Sequence, residues 1–397
     1  MPELLRFAIF ILVFLSIVGA GHYYAWARLV RDLELPLMVH RALTVAVIAL
    51  FVLLVVSLVA GRSLPPSIRS SLLVPAFSWL GVLWLFIVSL LLADLIRFGF
   101  TSVSHLAQAA LSTAAPAQDD ARRLFVSRLL ASVVLLVGGG ATGVALATGL
   151  GGAVVRKVQV KLSRLPAAMS GTRIVQLSDV HLGPTLGLDF INDIVERTNA
   201  LNPDIVAITG DLVDGSVASI GHLVEPLAKL KARYGVFFVT GNHEYYSGAV
   251  EWCQHLAQIG IRVLRNERVS IGSAEHSFDL AGIDDHHAAQ FGHGHGADIA
   301  RATQGRDPSR SLVLLAHQPV QALQAESFGV ELQLSGHTHG GQLWPFNYLV
   351  KLQQPVVAGM GRVGRTMVYV NSGTGYWGPP MRLGTTSEIT EITLLSS

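Results

Sequence analysis

Four apolar runs, residues 4–27, 37–60, 72–96 and 129–150, fill most of the first 152 residues of this 397-residue chain. Each is close to the ~20 residues with which a helix crosses the hydrocarbon core of a bilayer. Flanking arginines and the aromatics Tyr23, Tyr24, Trp26, Trp79 and Trp84 suit the two edges of a membrane. A cleaved signal peptide would account for the first run alone. Residues 1–152 are therefore expected to form an all-α transmembrane domain of four helices. Hydrophobic residues make up 51% of the chain and mean hydropathy is +0.48, an excess concentrated before Gly152. The few polar residues in these runs, His22, Asp94 and Arg97, lie near their ends and read as interfacial anchors rather than a transport path. A formal charge of +2 with 14% charged residues argues against a nucleic-acid binder, which needs a concentrated basic face. The single cysteine, Cys253, excludes an intrachain disulfide and reads as a packed thiol in a helix.

The sequence orients these runs weakly. Arg6, Arg62, Arg69, Arg156, Lys157, Lys161 and Arg164 fall on one side, and Arg28, Arg31, Arg41, Arg97, Arg122, Arg123 and Arg128 on the other. That balance leaves the positive-inside rule without a decision. Arg122-Arg123-Leu124-Phe125-Val126, ahead of a mild glycine-rich apolar run, resembles a twin-arginine export signal, although an internal one. On that reading the arginine pair is cytoplasmic and the rest of this integral, multi-pass protein is extracytoplasmic.

From Val154 the texture changes. Short apolar segments at 173–177, 204–208, 236–239, 278–283, 312–315, 330–334, 367–370 and 389–394 are strand-like. Helical patterns at 190–200, 220–232 and 249–259 separate the early ones. Residues 153–397 are thus expected to be an α/β domain. The later strands, which lack long helices between them, call for a mixed sheet or two packed sheets. Residues 112–118 read as a loop between membrane runs.

The strand ends share one chemistry. The first yields Ser178-Asp179-Val180-His181, the second Gly210-Asp211-Leu212-Val213-Asp214, and the third Gly241-Asn242-His243-Glu244. Two later strands yield Ala316-His317 and Gly336-His337-Thr338-His339. Alternate residues of an extended segment point the same way, so His337 and His339 can converge on one volume. An isolated pair of this kind is often accidental, as is an Asp214-Gly215 turn. Five such clusters at strand ends instead match where an open α/β sheet builds its site. Imidazole, carboxylate and amide oxygen suit Mn, Fe, Zn or Ni over a thiolate-preferring ion. So many ligands exceed one tetrahedral ion and suit two ions sharing a carboxylate. Asp179 and Asp211 offset only part of the charge of two divalent ions. The remainder can hold a phosphate and stabilise a hydroxide for in-line displacement. Glu244 reads as a plain helix-start carboxylate. His286, His287, His293 and His295, among glycines and alanines, read as a flexible solvated loop that could feed or cover the site.

The ordered series DxH, GDxxD, GNHE, a lone His and GHTH resembles the calcineurin-like metallophosphoesterase superfamily, from about Arg173 to the C-terminus. The tail Asn371-Ser372-Gly373-Thr374-Gly375-Tyr376-Trp377-Gly378-Pro379-Pro380-Met381-Arg382, behind a membrane domain, is most similar to the transmembrane proteins with a metallophosphoesterase domain. The resemblance implies a four-layer αββα sandwich and a binuclear centre. It implies Asp179, His181 and His339 on a first ion, Asp211 bridging, and Asn242, His317 and His337 on a second. His243 would bind no metal; oriented by Asp214, it would donate to the phosphate or the departing oxygen. The expected activity is metal-dependent hydrolysis of a phosphoester, with the membrane favouring a lipid or other amphiphilic substrate. The motifs leave the alcohol and the oligomeric state open. Two rivals follow: a pyrophosphohydrolase of the UDP-2,3-diacylglucosamine type, which some relatives in lipid A synthesis are and which needs a cytoplasmic site, and a membrane transporter or sensor with a regulatory phosphoesterase domain.

Overall fold

The computed structural model describes residues 3–60, 66–110 and 120–397. The chain divides into two compact units, Met1–Ala147 with Gly378–Met381, and Thr148–Trp377 with Arg382–Ser397.

The first unit contains helices α1 (Glu3–Leu29), α2 (Leu37–Ala60), α3 (Pro66–Ala110) and α4 (Asp120–Leu150). By length and composition α2, α3 and α4 can each cross a membrane. The 45-residue α3 runs far beyond the apolar run at 72–96, roughly 65–70 Å at ~1.5 Å per residue. The apolar run therefore marks the lipid-compatible part of the helix and not its ends. The expected loop at 112–118 lies outside the described residues. His22 does not behave as an interfacial anchor. Its ring is buried, with Nδ1 2.8 Å from the Val18 carbonyl and Nε2 accepting from Trp79 at 2.8 Å. Asp94 instead accepts from Tyr24 at 2.7 Å and from Arg28 at 2.8 Å, an ion pair between helices.

The second unit contains twelve strands and seven helices. In order they are β1 (Val154–Leu162), β2 (Arg173–Leu177), α5 (Leu188–Ala200), β3 (Ile205–Thr209), α6 (Val217–Val224), β4 (Val236–Val239), α7 (Asn242–Ser247), α8 (Ala249–Gln258), β5 (Arg262–Val263), β6 (Glu267–Gly272), β7 (Ser277–Gly282), α9 (Ile299–Thr303), β8 (Leu312–Leu315), α10 (Ala322–Ala325), β9 (Leu332–Ser335), α11 (Phe346–Val350), β10 (Gly359–Val363), β11 (Thr366–Val370) and β12 (Glu388–Ser396). They build two mixed six-stranded sheets, in the orders β1-β12-β2-β3-β4-β5 and β10-β11-β9-β8-β7-β6. β2, β3 and β4 run parallel, as do β7, β8, β9 and β11.

The two-residue period of a strand decides the layers. Val175, Leu177, Val206, Ile208 and Phe238 face Ile191, Ile194, Leu223, Trp252 and Leu256 of the helices. Ile174, Ile205, Ala207, Phe237, Val239 and Ile392 form a second core with Phe278, Leu280, Val313, Leu315, Leu332 and Leu334 of the other sheet. Ala281, Leu312 and Leu314 pack a third with Ile299, Ala302 and Ala325. Strands covered on both faces read as unbroken apolar runs, which is why they were visible in the sequence. β1 was not. It pairs with β12 over nine residues, from Val154↔Glu388 to Leu162↔Ser396. Its Arg156, Lys157 and Lys161 are the charges expected of an edge strand exposed to solvent. Cys253 sits in α8 as a free, half-buried thiol whose pKa is pushed up to about 12 by burial.

Candidate metal centre

The parallel strands deliver the motif loops to one end of the sheets. Two of these loops are zipped together: Asp179 N–H donates to the Gly210 carbonyl at 3.0 Å, His181 N–H to that of Asp211 at 3.1 Å, and Asp214 N–H to that of Leu182 at 2.8 Å. Asp179, His181, Asp211, His337 and His339 all have φ between 50° and 71°. Left-handed backbone at a non-glycine residue costs on the order of 1–3 kcal/mol, so five such residues together mark a site whose surroundings over-determine them. Glycine is needed beside them. A Cβ on Gly241 would collide with Asp211, and one on Gly336 with Ser178 and Asp179.

Three groups of side chains place ligand atoms within 4.8 Å of one another: Asp179, His181 and His339; His181, Asp211 and His243; and Asp211, His317 and His337. Asp211 is the carboxylate common to two of them. Hydrogen bonds orient two of the histidines, His317 and His181. His317 Nδ1 donates to the Thr209 carbonyl at 2.7 Å, which turns Nε2 toward Asp211; burial would lower this ring, but Asp211 raises it well above its ordinary range. That Nε2 is 3.1 Å from Asp211 Oδ2, yet makes no hydrogen bond in its orientation. His181 Nδ1 faces the Asp214 carboxylate at 3.2 Å, which turns its Nε2 to within 3.1 Å of His339 Nε2. Two nitrogens so close can both lie ~2.0–2.1 Å from a single ion. Asn242 Oδ1 is also buried without a partner. Buried polar atoms in native proteins are normally paired. Unpaired atoms of the ligand types expected for a cation are what a metal site requires.

The charges are tightly set. Burial would raise Asp211, but His317 and His243 hold it well below the usual carboxylate range. Burial, joined by the Asp211 charge, pushes Asp179 up against the opposing charge of His317. His337 is lowered to about 3, by burial first and His317 second, so it stays neutral and able to ligate. Burial also lowers His243, yet Asp211 and Asp214 outweigh it and raise the ring to about 9. His243 Nδ1 is 2.6 Å from Asp214 Oδ1, and its backbone N–H donates to Asp211 Oδ1 at 2.8 Å. Asp214 therefore serves two rings, His243 and His181, where the sequence suggested one.

Comparison with known proteins identifies the family of this domain. The family model for calcineurin-like phosphoesterases matches residues 172–341. A Danio rerio protein named transmembrane protein with metallophosphoesterase domain is 45% identical over 245 residues, 60% of this chain and 56% of that one. A Helicobacter pylori uncharacterized metallophosphoesterase is 39% identical over 62% of this chain and 65% of its own. An Aquifex aeolicus uncharacterized metallophosphoesterase is 33% identical over 60% of this chain and 91% of its own. This chain belongs to the calcineurin-like phosphoesterases. It spans little more than half the length of the first of those relatives. The family is metal-dependent, and the clustered histidines and aspartates of this phosphoesterase could bind metal ions.

Two buried residues of the phosphoesterase escaped the sequence reading. Glu244 is fully buried rather than a plain helix-start carboxylate. It accepts from the backbone N–H groups of Gly241 at 2.6 Å, Asp211 at 3.0 Å and Leu212 at 2.8 Å, tying two ligand loops together. Burial, then Asp211, pushes it up to about 7. An acidic residue three positions after Gly241, at a helix start, was the available signal. Arg382 is the other. It is buried and donates to the carbonyls of Gly375 at 2.6 Å, His339 at 3.2 Å and Gly373 at 3.3 Å. Glu244→Ala would orphan three buried N–H groups at ~1–3 kcal/mol each. It is expected to destabilise the chain by at least ~3 kcal/mol and to lower its melting temperature. A thermal melt indistinguishable from wild type would remove the tie. Among the described residues, none of the metal-sized groups includes His286, His287, His293 or His295. Their segment is anchored rather than loose, through Arg265 on Asp284 at 2.9 and 2.6 Å and Gln318 on Asp285 at 2.9 Å.

Proposed function

We propose that the protein is a membrane-anchored phosphoesterase that uses two divalent ions; Asp179, His181 and His339 would hold one, Asn242, His317 and His337 would hold the other, and Asp211 would serve both. One observation carries this reading: the groups Asp179-His181-His339 and Asp211-His317-His337 adjoin through His181, which lies within ligand reach of Asp211, and the donor atoms His317 Nε2 and Asn242 Oδ1 are buried without hydrogen bonds. Bound ions supply positive charge for phosphoryl oxygens and acidify water at neutral pH. The chain's own part is to position them. Thr209 and Asp214 fix the tautomers of His317 and His181. His243, its Nδ1 on Asp214, keeps a proton on Nε2 for the phosphate or the departing oxygen. The ion identity we favour is Mn, Fe, Zn or Ni, from the mixture of imidazole, carboxylate and amide oxygen.

The anchor would be residues 1–152, with four spans, and the catalytic domain residues 153–397, a four-layer αββα sandwich on the extracytoplasmic side. α2, α3 and α4 support the anchor by their length and apolarity. Tethering favours an amphiphilic or lipid phosphoester, whose local concentration a membrane raises. The test is metal analysis of the detergent-solubilised full chain together with a panel of phosphomonoesters, phosphodiesters and phospholipids. Two ions per chain and hydrolysis abolished by a chelator are expected. One ion or none, or hydrolysis indifferent to chelation, would overturn the reading. A reporter fused after Ser397 and active only in the cytoplasm would reverse the orientation.

A further inference from the structure

Beyond the ligand groups, the surroundings of His243 are aromatic. Tyr246 and Trp377 each meet the His243 ring edge-to-face, with centroids 5.5 and 5.6 Å away and planes at 77° and 74°. Phe291 extends this wall from Tyr246, at 5.5 Å and 64°. These are not core residues: Tyr246 is 64% exposed, Trp377 54% and Phe291 40%. Large rings left clustered in water beside a site commonly mark a surface that something else covers.

Each ring is held in place by a different part of the chain. Tyr246 follows His243 by three residues on α7, so both side chains share one helix face. Trp377 is pinned through its backbone. Gln342 Nε2 donates to the Trp377 carbonyl at 2.9 Å, and Gln342 Oε1 accepts from the Trp377 N–H at 3.3 Å. Gln342 itself has φ 48°, the left-handed region otherwise occupied in this loop by His337, His339 and glycines. A strained backbone thus places the Gln342 side chain that locks Trp377 next to His243. Phe291 rides on the segment that Arg265 clamps through Asp284, which gives the histidine-rich stretch a task other than binding metal.

We propose that Trp377, Tyr246 and Phe291 form a subsite for the leaving group, selecting phosphoesters whose alcohol is a flat apolar ring. The inference rests on the phosphoesterase reading, because it takes His243 to face the departing oxygen. Ring-on-ring contact has a geometry-dependent attraction beyond the area it covers, which a small polar alcohol such as glycerol cannot recover. Losing one wall of such a site is expected to weaken a ring ligand about tenfold.

The experiment uses the metal-loaded full chain in detergent with two probes that cannot be hydrolysed, 2-naphthylphosphonate and methylphosphonate, alongside turnover of 2-naphthyl phosphate and glycerol phosphate. Trp377→Ala is expected to raise the Kd of naphthylphosphonate about tenfold and the KM of naphthyl phosphate in parallel, with methylphosphonate and glycerol phosphate changed less than about twofold. Trp377→Phe should restore most of the loss, and Tyr246→Leu should reproduce the pattern if the tryptophan variant fails to fold. Equal weakening of both phosphonates, or no weakening of either, would overturn the subsite. A ring preference in binding, with hydrolysis of neither ester under any metal, would overturn the phosphoesterase reading and leave the ring contact standing.

Discussion

Asp211→Asn should strip the centre of both metal and turnover. Asp211 groups with His317 and His337 and lies within ligand reach of His181; it is 3.1 Å from His317 Nε2 and also accepts the His243 backbone N–H at 2.8 Å. Asparagine preserves the shape and removes the charge that would offset two cations at one point. Stabilisation of this kind is worth several kcal/mol. At 1.36 kcal/mol per factor of ten, kcat should fall by at least about 10³-fold. Metal content measured with kcat separates the causes. A variant with both ions and near-wild-type kcat would exclude a bridging carboxylate at this position. Loss of a single ion with partial activity would make Asp211 a terminal ligand.

His243→Ala should have the second largest effect and the opposite metal signature. Both ions are expected to remain, while kcat on esters with poor leaving groups falls roughly 10²–10⁴-fold. Activated aryl esters should lose less, because their leaving oxygen needs little protonation. The pH profile carries an independent sign. Asp211 and Asp214, working against burial, raise this ring to about 9. A general acid acts while protonated, so its benefit is present below that value and disappears as pH rises through it. Ions bound beside Asp211 would move the limb toward neutrality. The wild type should therefore show an alkaline fall in kcat that His243→Ala lacks. His243 also lies within ligand reach of His181 and Asp211. If the variant lost an ion, His243 would be a ligand instead of a donor. Asp214→Asn is expected to injure both functions, since Asp214 holds His181 Nδ1 at 3.2 Å as well as His243 Nδ1 at 2.6 Å.

The candidate site of this protein was legible because its clustered histidines and aspartates are local in the chain. Asp179 and His181 straddle one residue, as do His337 and His339, and each pair follows an apolar strand buried on both faces. Such strands stand out from their flanks, and β2, β4 and β8 lie where the sequence placed them. Elements that depend on partners did not stand out. β1 looks polar because only its pairing with distant β12 makes it a strand. Glu244 looks like any acidic residue at a helix start until the 210–212 loop folds back onto it. Buried Arg382 shows nothing in sequence of the carbonyls it gathers from residues 339, 373 and 375.

Sequence by itself thus determined the α/β type of the second domain, the apolar N-terminal region and the candidate ligands, because periodicity, apolar length and side-chain chemistry are properties of short segments. Tertiary structure alone decided how the His181 and His317 rings are turned, that Asp214 is divided between two histidines, and that Trp377 comes to rest against His243. Those outcomes depend on left-handed turns at Asp179, His181, Asp211, His337 and His339 and on hydrogen bonds between loops far apart in the chain. No local pattern encodes them, because the partner that stabilises each turn lies in a different segment.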